Sequence, residues 1–183
     1  MTKSQAGKSS GRASADRAAR RRVDDIVQQW RTERPDIDPV PAQIYGLIGR
    51  IHIQSTAFID EILAPYQLVR GTFDVLTALR RAGAPYSLTP KALAESLLLS
   101  GAGLNSRINR LEDIRYIARL PEPADRRTVR IQLTTAGESV INDVIPQVFE
   151  AQWRRLRALD DDSMGRLVTE LSRLADAIDA IKS

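Results

Sequence analysis

A mainly helical fold with one small β-hairpin is what this sequence predicts, and three observations predict it. Apolar side chains recur at intervals of three and four residues over most of the chain. Around Tyr116–Leu133 the period changes: Val129, Ile131 and Leu133 alternate with Arg130 and Gln132, the pattern of a strand buried on one face. The elements run as two long helices, three short helices, the hairpin and two more long helices. That order is a winged helix-turn-helix flanked by long helices, mainly α with a small β-hairpin wing.

Taken in order, residues 1–12 are mostly Ser, Gly, Ala and Lys, with little to bury, and read as a disordered basic tail. Val23, Ile26, Val27 and Trp30 then form one face of a helix, which the prolines 35, 39 and 41 interrupt. A long helix is expected from about Pro41 to Leu63, on the stripe Ile44, Leu47, Ile48, Ile51, Phe58, Ile59 and Ile62. A shorter one follows over about Arg70–Arg81. Thr89-Pro90 caps a third, which carries Leu93, Leu97 and Leu98. The next helix spans about Gly101–Ile114, with Leu104, Ile108, Leu111 and Ile114 inward. Strands over 116–120 and 128–133 are joined by a loop from Pro121 to Arg127. Thr135 and Glu138 stand at capping-box spacing for a long helix to about Leu159. In the last helix Met164, Leu167, Val168, Leu171, Leu174, Ile178 and Ile181 make a nearly heptad stripe. The expected organisation is one domain over 13–183. Its winged unit lies at 70–133, with helices at 13–65 and 134–183 for homodimerisation, because the DNA-sized unit does not need their apolar stripes.

Composition narrows the function. With 183 residues the chain suffices for one core and is short for two. There is no cysteine, so disulfides and thiolate metal sites are excluded. No apolar run approaches the roughly 20 residues of a membrane span, and the basic start has no apolar stretch behind it. A cytoplasmic protein with no membrane contact is therefore expected. The net charge of +4 is misleading taken whole: residues 1–22 hold seven basic side chains against Asp16, and the rest is slightly acidic. Local charge is more telling, since 107–130 contain seven arginines against four acids.

Double-stranded DNA is the partner this pattern fits. On the helix over 101–114, Asn105, Ser106, Asn109 and Arg110 face away from the apolar stripe. The small residues Ser100, Gly101 and Gly103 at its start permit close backbone approach to a major groove. Arg126 and Arg127 at the hairpin tip suit a minor groove, where negative potential favours arginine. An enzyme is disfavoured: His52 is the sole histidine and sits on an apolar helix. Gly101-Ala-Gly103 follows a helix rather than a strand, and no acid/histidine cluster has metal-ligand spacing. No cofactor and no metal are expected. A winged helix used only for protein contacts, without a small-molecule effector, remains the alternative.

The segments Leu88–Ser100, Asn105–Glu112, Pro121–Arg127 and Leu133-Thr-Thr-Ala-Gly137 resemble, in order and spacing, the core of MarR family transcriptional regulators. The Asp125-Arg126-Arg127 wing followed by Leu-Thr-x-x-Gly is the most specific part. The resemblance departs at Arg115, where the family usually has glycine, a difference that bears on the turn between the recognition helix and the wing. The added N-terminal helix ending Gln29–Asp38 looks like that of the family's urate-responsive branch. That likeness implies an effector site of Trp30, Asp74, Arg107 and Arg119, and a repressor released from a pseudo-palindromic operator by urate or another purine. The chemistry suits a planar anion: an aromatic face to stack on, guanidinium forks for oxygens, a carboxylate for ring N–H groups. A packing role for Trp30, a structural Asp74–Arg107 ion pair and a phosphate contact by Arg119 are the alternatives these residues leave open.

Overall fold

A computed structural model describes the backbone of residues 22–97, 103–122 and 125–181, and side chains over the same residues apart from 122–128. The chain divides into two compact units, 1–57 and 58–183, with the boundary inside one long helix.

The first unit holds helix α1 (residues 22–33) and most of α2 (Val40–Leu63). Val23 and Val27 of the anticipated α1 stripe are buried, and the Val23 side chain lies 3.4 Å from where a Cβ would stand on Gly46. Between the helices Arg34 pairs with Asp36 at 2.7 Å, and Asp38 Oδ1 accepts from the Val40 amide, opening α2. Ile26 and Trp30 of the same stripe are exposed, as are Ile44, Tyr45, Ile51 and Ile53 on α2.

The second unit contains the core. After α2 ends in a 3-10 turn (Ala64–Tyr66), α3 (Arg70–Arg81) buries Phe73, Val75, Leu76, Ala78 and Leu79. Helix α4 (Pro90–Ser96) is capped as expected, Thr89 Oγ1 accepting from the Ala92 amide. It stops at Ser96, earlier than the apolar pattern suggested: Leu97 is already extended, and Leu98 lies outside the described residues. Helix α5 (Leu104–Asp113) buries Leu104, Ile108 and Leu111 against α3. It begins later than Gly101, because Gly103 takes the left-handed conformation (φ 78°) just before it; Ser100 and Gly101 lie outside the described residues.

The sheet differs from the expected two-stranded hairpin in two ways. Strands β2 (Ile117–Glu122) and β3 (Asp125–Leu133) pair antiparallel, and β1 (Ser87–Leu88) adds a third strand on the other side of β3, in the order β1-β3-β2. Two residues are too few for any periodicity to reveal; Ser87 and Leu88 become a strand only because Gln132 and Ile131 lie opposite them. The expected loop from Pro121 to Arg127 is also mostly strand. Pro121 pairs with Val129, and the register shifts between Pro121 and Glu122. Proline is tolerated there because β2 is an edge strand, where one side of the ladder is free.

Two long helices close the chain, α6 (Thr135–Leu156) and α7 (Asp161–Ile181). The α6 cap is Thr134, whose Oγ1 accepts from the Gly137 amide at 3.0 Å, one residue before the Thr135–Glu138 box the spacing suggested. Ile141, Val144 and Val148 of α6 enter the core. Helix α7 buries no residue, and Leu167, Val168, Leu171 and Ile181 stand exposed. No described helix is long and apolar enough to cross a membrane.

One junction joins α5, the sheet and α6. The α5 C-terminus forms a Schellman turn: the Tyr116 amide donates to Leu111 O (2.9 Å) and the Arg115 amide to Glu112 O (2.9 Å). That turn puts Arg115 at φ 59°, the left-handed region, which costs a residue with a Cβ about 1–2 kcal/mol. Thr134 then donates from Oγ1 to Arg115 O (2.7 Å) and from its amide to Tyr116 O (3.0 Å). Gly137 packs directly on that carbonyl; a Cβ there would collide with Tyr116 O and C. Backbone cannot yield as a flexible side chain can, so Gly137→Ala is expected to destabilise by about 2–3 kcal/mol, the upper range for an overpacked core site. Urea denaturation of the two proteins measures it, and equal midpoints would contradict the close packing.

Candidate nucleic-acid interface and effector site

Helix α5 has two faces with different chemistry. Leu104, Ile108 and Leu111 are buried, while Asn105, Ser106, Asn109 and Arg110 are exposed, as expected of a helix that lays one side on a core and offers the other to a groove. Gly103 at its start is exposed, and a Cβ there would meet nothing within 4 Å, so close approach by a large partner is unhindered. The side chains of Arg126 and Arg127 lie outside the described residues; their backbone belongs to β3.

Between these faces sits Arg107, half-buried and leaning toward α3. Gly71, in the first turn of α3, makes the space: a Cβ there would stand 2.6 Å from Arg107 Nε. One turn further on is Asp74, whose Oδ1 is 3.9 Å from Arg70 Nε. Burial raises the Asp74 carboxyl above the ordinary aspartate value, and attraction to Arg70, Arg107 and Arg81 opposes that rise without cancelling it. Asp74 Oδ2 and Arg107 Nη1 are both buried and, among the described residues, neither has a hydrogen-bond partner. Unmet buried hydrogen-bonding capacity costs about 1–3 kcal/mol per group, so an acceptor on Asp74 and a donor on Arg107 are both available to a polar partner.

Of the four residues expected to form an effector site, the structure brings Asp74 and Arg107 into one electrostatic cluster, joined by Arg70, which sequence reasoning missed. Its signal was available: Arg70 stands four residues before Asp74, the helical spacing for an ion pair. Arg119, on β2, is directed to α5 instead, donating to Glu112 Oε2 (2.5 Å) and Asn109 Oδ1 (2.6 Å). It ties β2 to α5 and engages the acceptor of Asn109, a residue expected to read DNA. Trp30 belongs to the first unit and is 46% exposed, so its ring is not consumed by the packing of that unit. Among the described residues no group of histidines and acids could hold a metal ion.

The model for the MarR family matches residues 66–128, from the 3-10 turn after α2 into β3. The transcriptional regulator PecS of Dickeya dadantii is 37% identical over 152 residues, 83% of this chain and 92% of that protein. The multiple antibiotic resistance protein MarR of Escherichia coli is 30% identical over 94 residues, 51% of this chain and 63% of its own length. A crystal structure of an Escherichia coli MarR mutant complexed with operator DNA superposes with a TM-score of 0.63 at 24% identity, covering 79% of this chain and 96% of that one. That of Bordetella bronchiseptica BpsR, whose DNA binding is regulated by 6-hydroxynicotinic acid, gives 0.62 at 23% identity over 71% of this chain and 91% of that one.

The raised Asp74 carboxyl has a consequence for stability. A folded-state value above the unfolded one means that the native protein binds the extra proton, so ionisation at higher pH weakens the fold. Asp74→Asn is expected to raise the melting temperature at pH 7, and to lose that advantage as pH falls below the ordinary aspartate value of 3.8. Thermal melts of both proteins across that range test the sign. A variant less stable at pH 7 would mean that ion pairing, and not desolvation, dominates the site.

Proposed function

The chain belongs to the MarR family, and from that premise we propose that it is a homodimeric DNA-binding regulator, a repressor released from a pseudo-palindromic operator by urate or a similar planar anion. The observation that carries this reading is that α5 bears both a solvent-facing row, Asn105, Ser106, Asn109 and Arg110, and an orphaned buried donor on Arg107. A ligand that completes the hydrogen bonding of Arg107 acts on the element that reads DNA.

The chemistry of the cluster favours an anion with its own N–H groups. Arg70 and Arg107 lie at the N-terminal end of α3, where the helix dipole adds positive potential. Asp74 Oδ2 accepts a ring N–H, while guanidinium N–H groups hold the oxygens. Arg119 supplies a second fork in this reading once it leaves Glu112. The ligand of BpsR, 6-hydroxynicotinic acid, is likewise a flat heteroaromatic acid. Release from DNA is a population shift: the anion binds best where Arg107 is turned toward Asp74, and DNA binds best where α5 is placed for the groove. By linkage, operator DNA weakens the anion by the same factor that the anion weakens DNA.

The wing completes the DNA contact in this reading. Ser100, Gly101 and Gly103 let the start of α5 approach base edges, and Arg126 and Arg127 enter the adjoining minor groove. Dimerisation accounts for the exposed apolar surface. Phe149, Trp153, Leu156 and Leu159 continue onto Leu167, Val168 and Leu171 of a helix with no buried residue, and a second copy of the same surface covers it.

Titrating urate and xanthine into the protein–DNA complex, followed by mobility shift, tests the effector. Release is expected with the native chain, and Asp74→Asn is expected to blunt it while leaving DNA affinity largely intact. The loss corresponds to one charge-assisted hydrogen bond, about 1.5–3 kcal/mol. No release by either purine at millimolar concentration would defeat the effector assignment. Sedimentation is expected to give twice the 20.3 kDa chain mass; a well-folded monomer would defeat the dimer.

A further inference from the structure

Arg115 occupies a position where its own side chain is a disadvantage to the fold. The Schellman turn that ends α5 requires φ 59° there, and the backbone is held in it by the Arg115 amide on Glu112 O, the Tyr116 amide on Leu111 O and Thr134 Oγ1 on Arg115 O. Any residue with a Cβ is strained at such an angle, and glycine is not. The Arg115 side chain is exposed, and its guanidinium has no hydrogen bond or ion pair among the described residues. It therefore returns nothing to the turn that strains it. Strain held in place by surrounding structure, at a residue with an idle charged group, points to use by something outside the chain.

The position says what that is. Helix α5 is 10 residues long, about 15 Å at the usual rise of 1.5 Å per residue. The major groove is about 12 Å wide. With the N-terminal turn of α5 on base edges, its other end reaches the groove wall, which is phosphate. The helix dipole is negative at that end, and Glu112 and Asp113 add two carboxylates to set against Arg110 in the last turn. Arg119 already engages Glu112. Arg115, just beyond the last turn, adds positive charge where the dipole is least favourable to phosphate.

We propose that Arg115 is a phosphate-contacting residue, kept at a strained turn for its charge and serving affinity without base specificity. The inference rests on the DNA-binding reading above and adds a contact that lies outside both the base-reading face of α5 and the wing tip.

The test uses the full chain and a fluorescein-labelled duplex of mixed sequence, read by anisotropy over a salt series, beside thermal melts. Arg115→Gly is expected to melt higher than the native chain and to bind the duplex several-fold more weakly. The slope of log affinity against log salt should shrink by about 0.9 for each Arg115 that touches DNA. Arg115→Lys keeps the charge and the strain, and should retain both slope and native stability. A glycine variant that binds with unchanged affinity and slope overturns the contact, and one that melts lower shows Arg115 to be structural. If the native chain binds no duplex at any salt, the DNA-binding reading fails, and this inference with it; native binding with an indifferent glycine variant sinks the inference alone.

Discussion

The constraint on which the placement of α5 depends is the close contact between Gly137 and the Tyr116 carbonyl, which binds the end of that helix to the sheet and to α6. Tyr116 ends the turn after α5 and precedes β2; Thr134 follows β3 and caps α6. By accepting from the Gly137 amide and donating to Arg115 O, one hydroxyl fixes the angle between α5, the sheet and α6. The contact works only because residue 137 has no side chain. Tyr116 adds a second tie, donating from its hydroxyl to Tyr66 O (3.3 Å), while Gln147 of α6 donates to the Tyr66 hydroxyl (2.8 Å). A shift of α5 is therefore felt in α6, which is the physical requirement for any coupling between DNA and the remainder of the protein.

Away from that junction, the polar contacts between α5 and α3 are incomplete. Arg107 lies over Gly71 with an unmet donor, and Asp74 lies nearby with an unmet acceptor and a carboxyl that burial makes reluctant to ionise. Fully satisfied polar networks rigidify an interior, whereas an unpaired buried polar group is costly and gains from any partner that completes it. Arg119 provides a further tie, donating from β2 to Glu112 and Asn109 of α5. The helix is thus fixed by backbone contacts at its C-terminus and by Leu104, Ile108 and Leu111 on α3, with its unmet buried polar capacity, among the described residues, confined to Arg107.

Most of the helical framework was legible in sequence because the apolar stripes have a helical period, whether or not the stripe is buried within one chain. Phe58 and Ile59, then Ile108 and Leu111, are buried where spacing put them, whereas Ile44 and Ile51 of the same α2 stripe and most of the α7 stripe are exposed. The exposed face of α5 followed by subtraction. Shorter features escaped. Strand β1 has two residues, and Pro121 looked like a loop because its tolerance depends on being at an edge. The early end of α4 at Ser96 contradicts Leu97, whose apolar character continues the pattern while its backbone leaves the helix.

For the candidate site, the sequence supplied residue types at matching positions, and chemistry told what they suit. It could not say that Arg107 leans on Gly71, that Arg70 joins Asp74, or that Arg119 turns to Glu112 and Asn109, because each depends on which helix faces lie opposite one another. By itself the sequence determined the helices, the alternating strand, the local charge and the family, all carried by neighbours along the chain. Only tertiary structure decided which polar groups are buried without partners and which residue bears the strain of the α5 turn. Burial and backbone angle are set by contacts between segments far apart in sequence, and no local pattern encodes them.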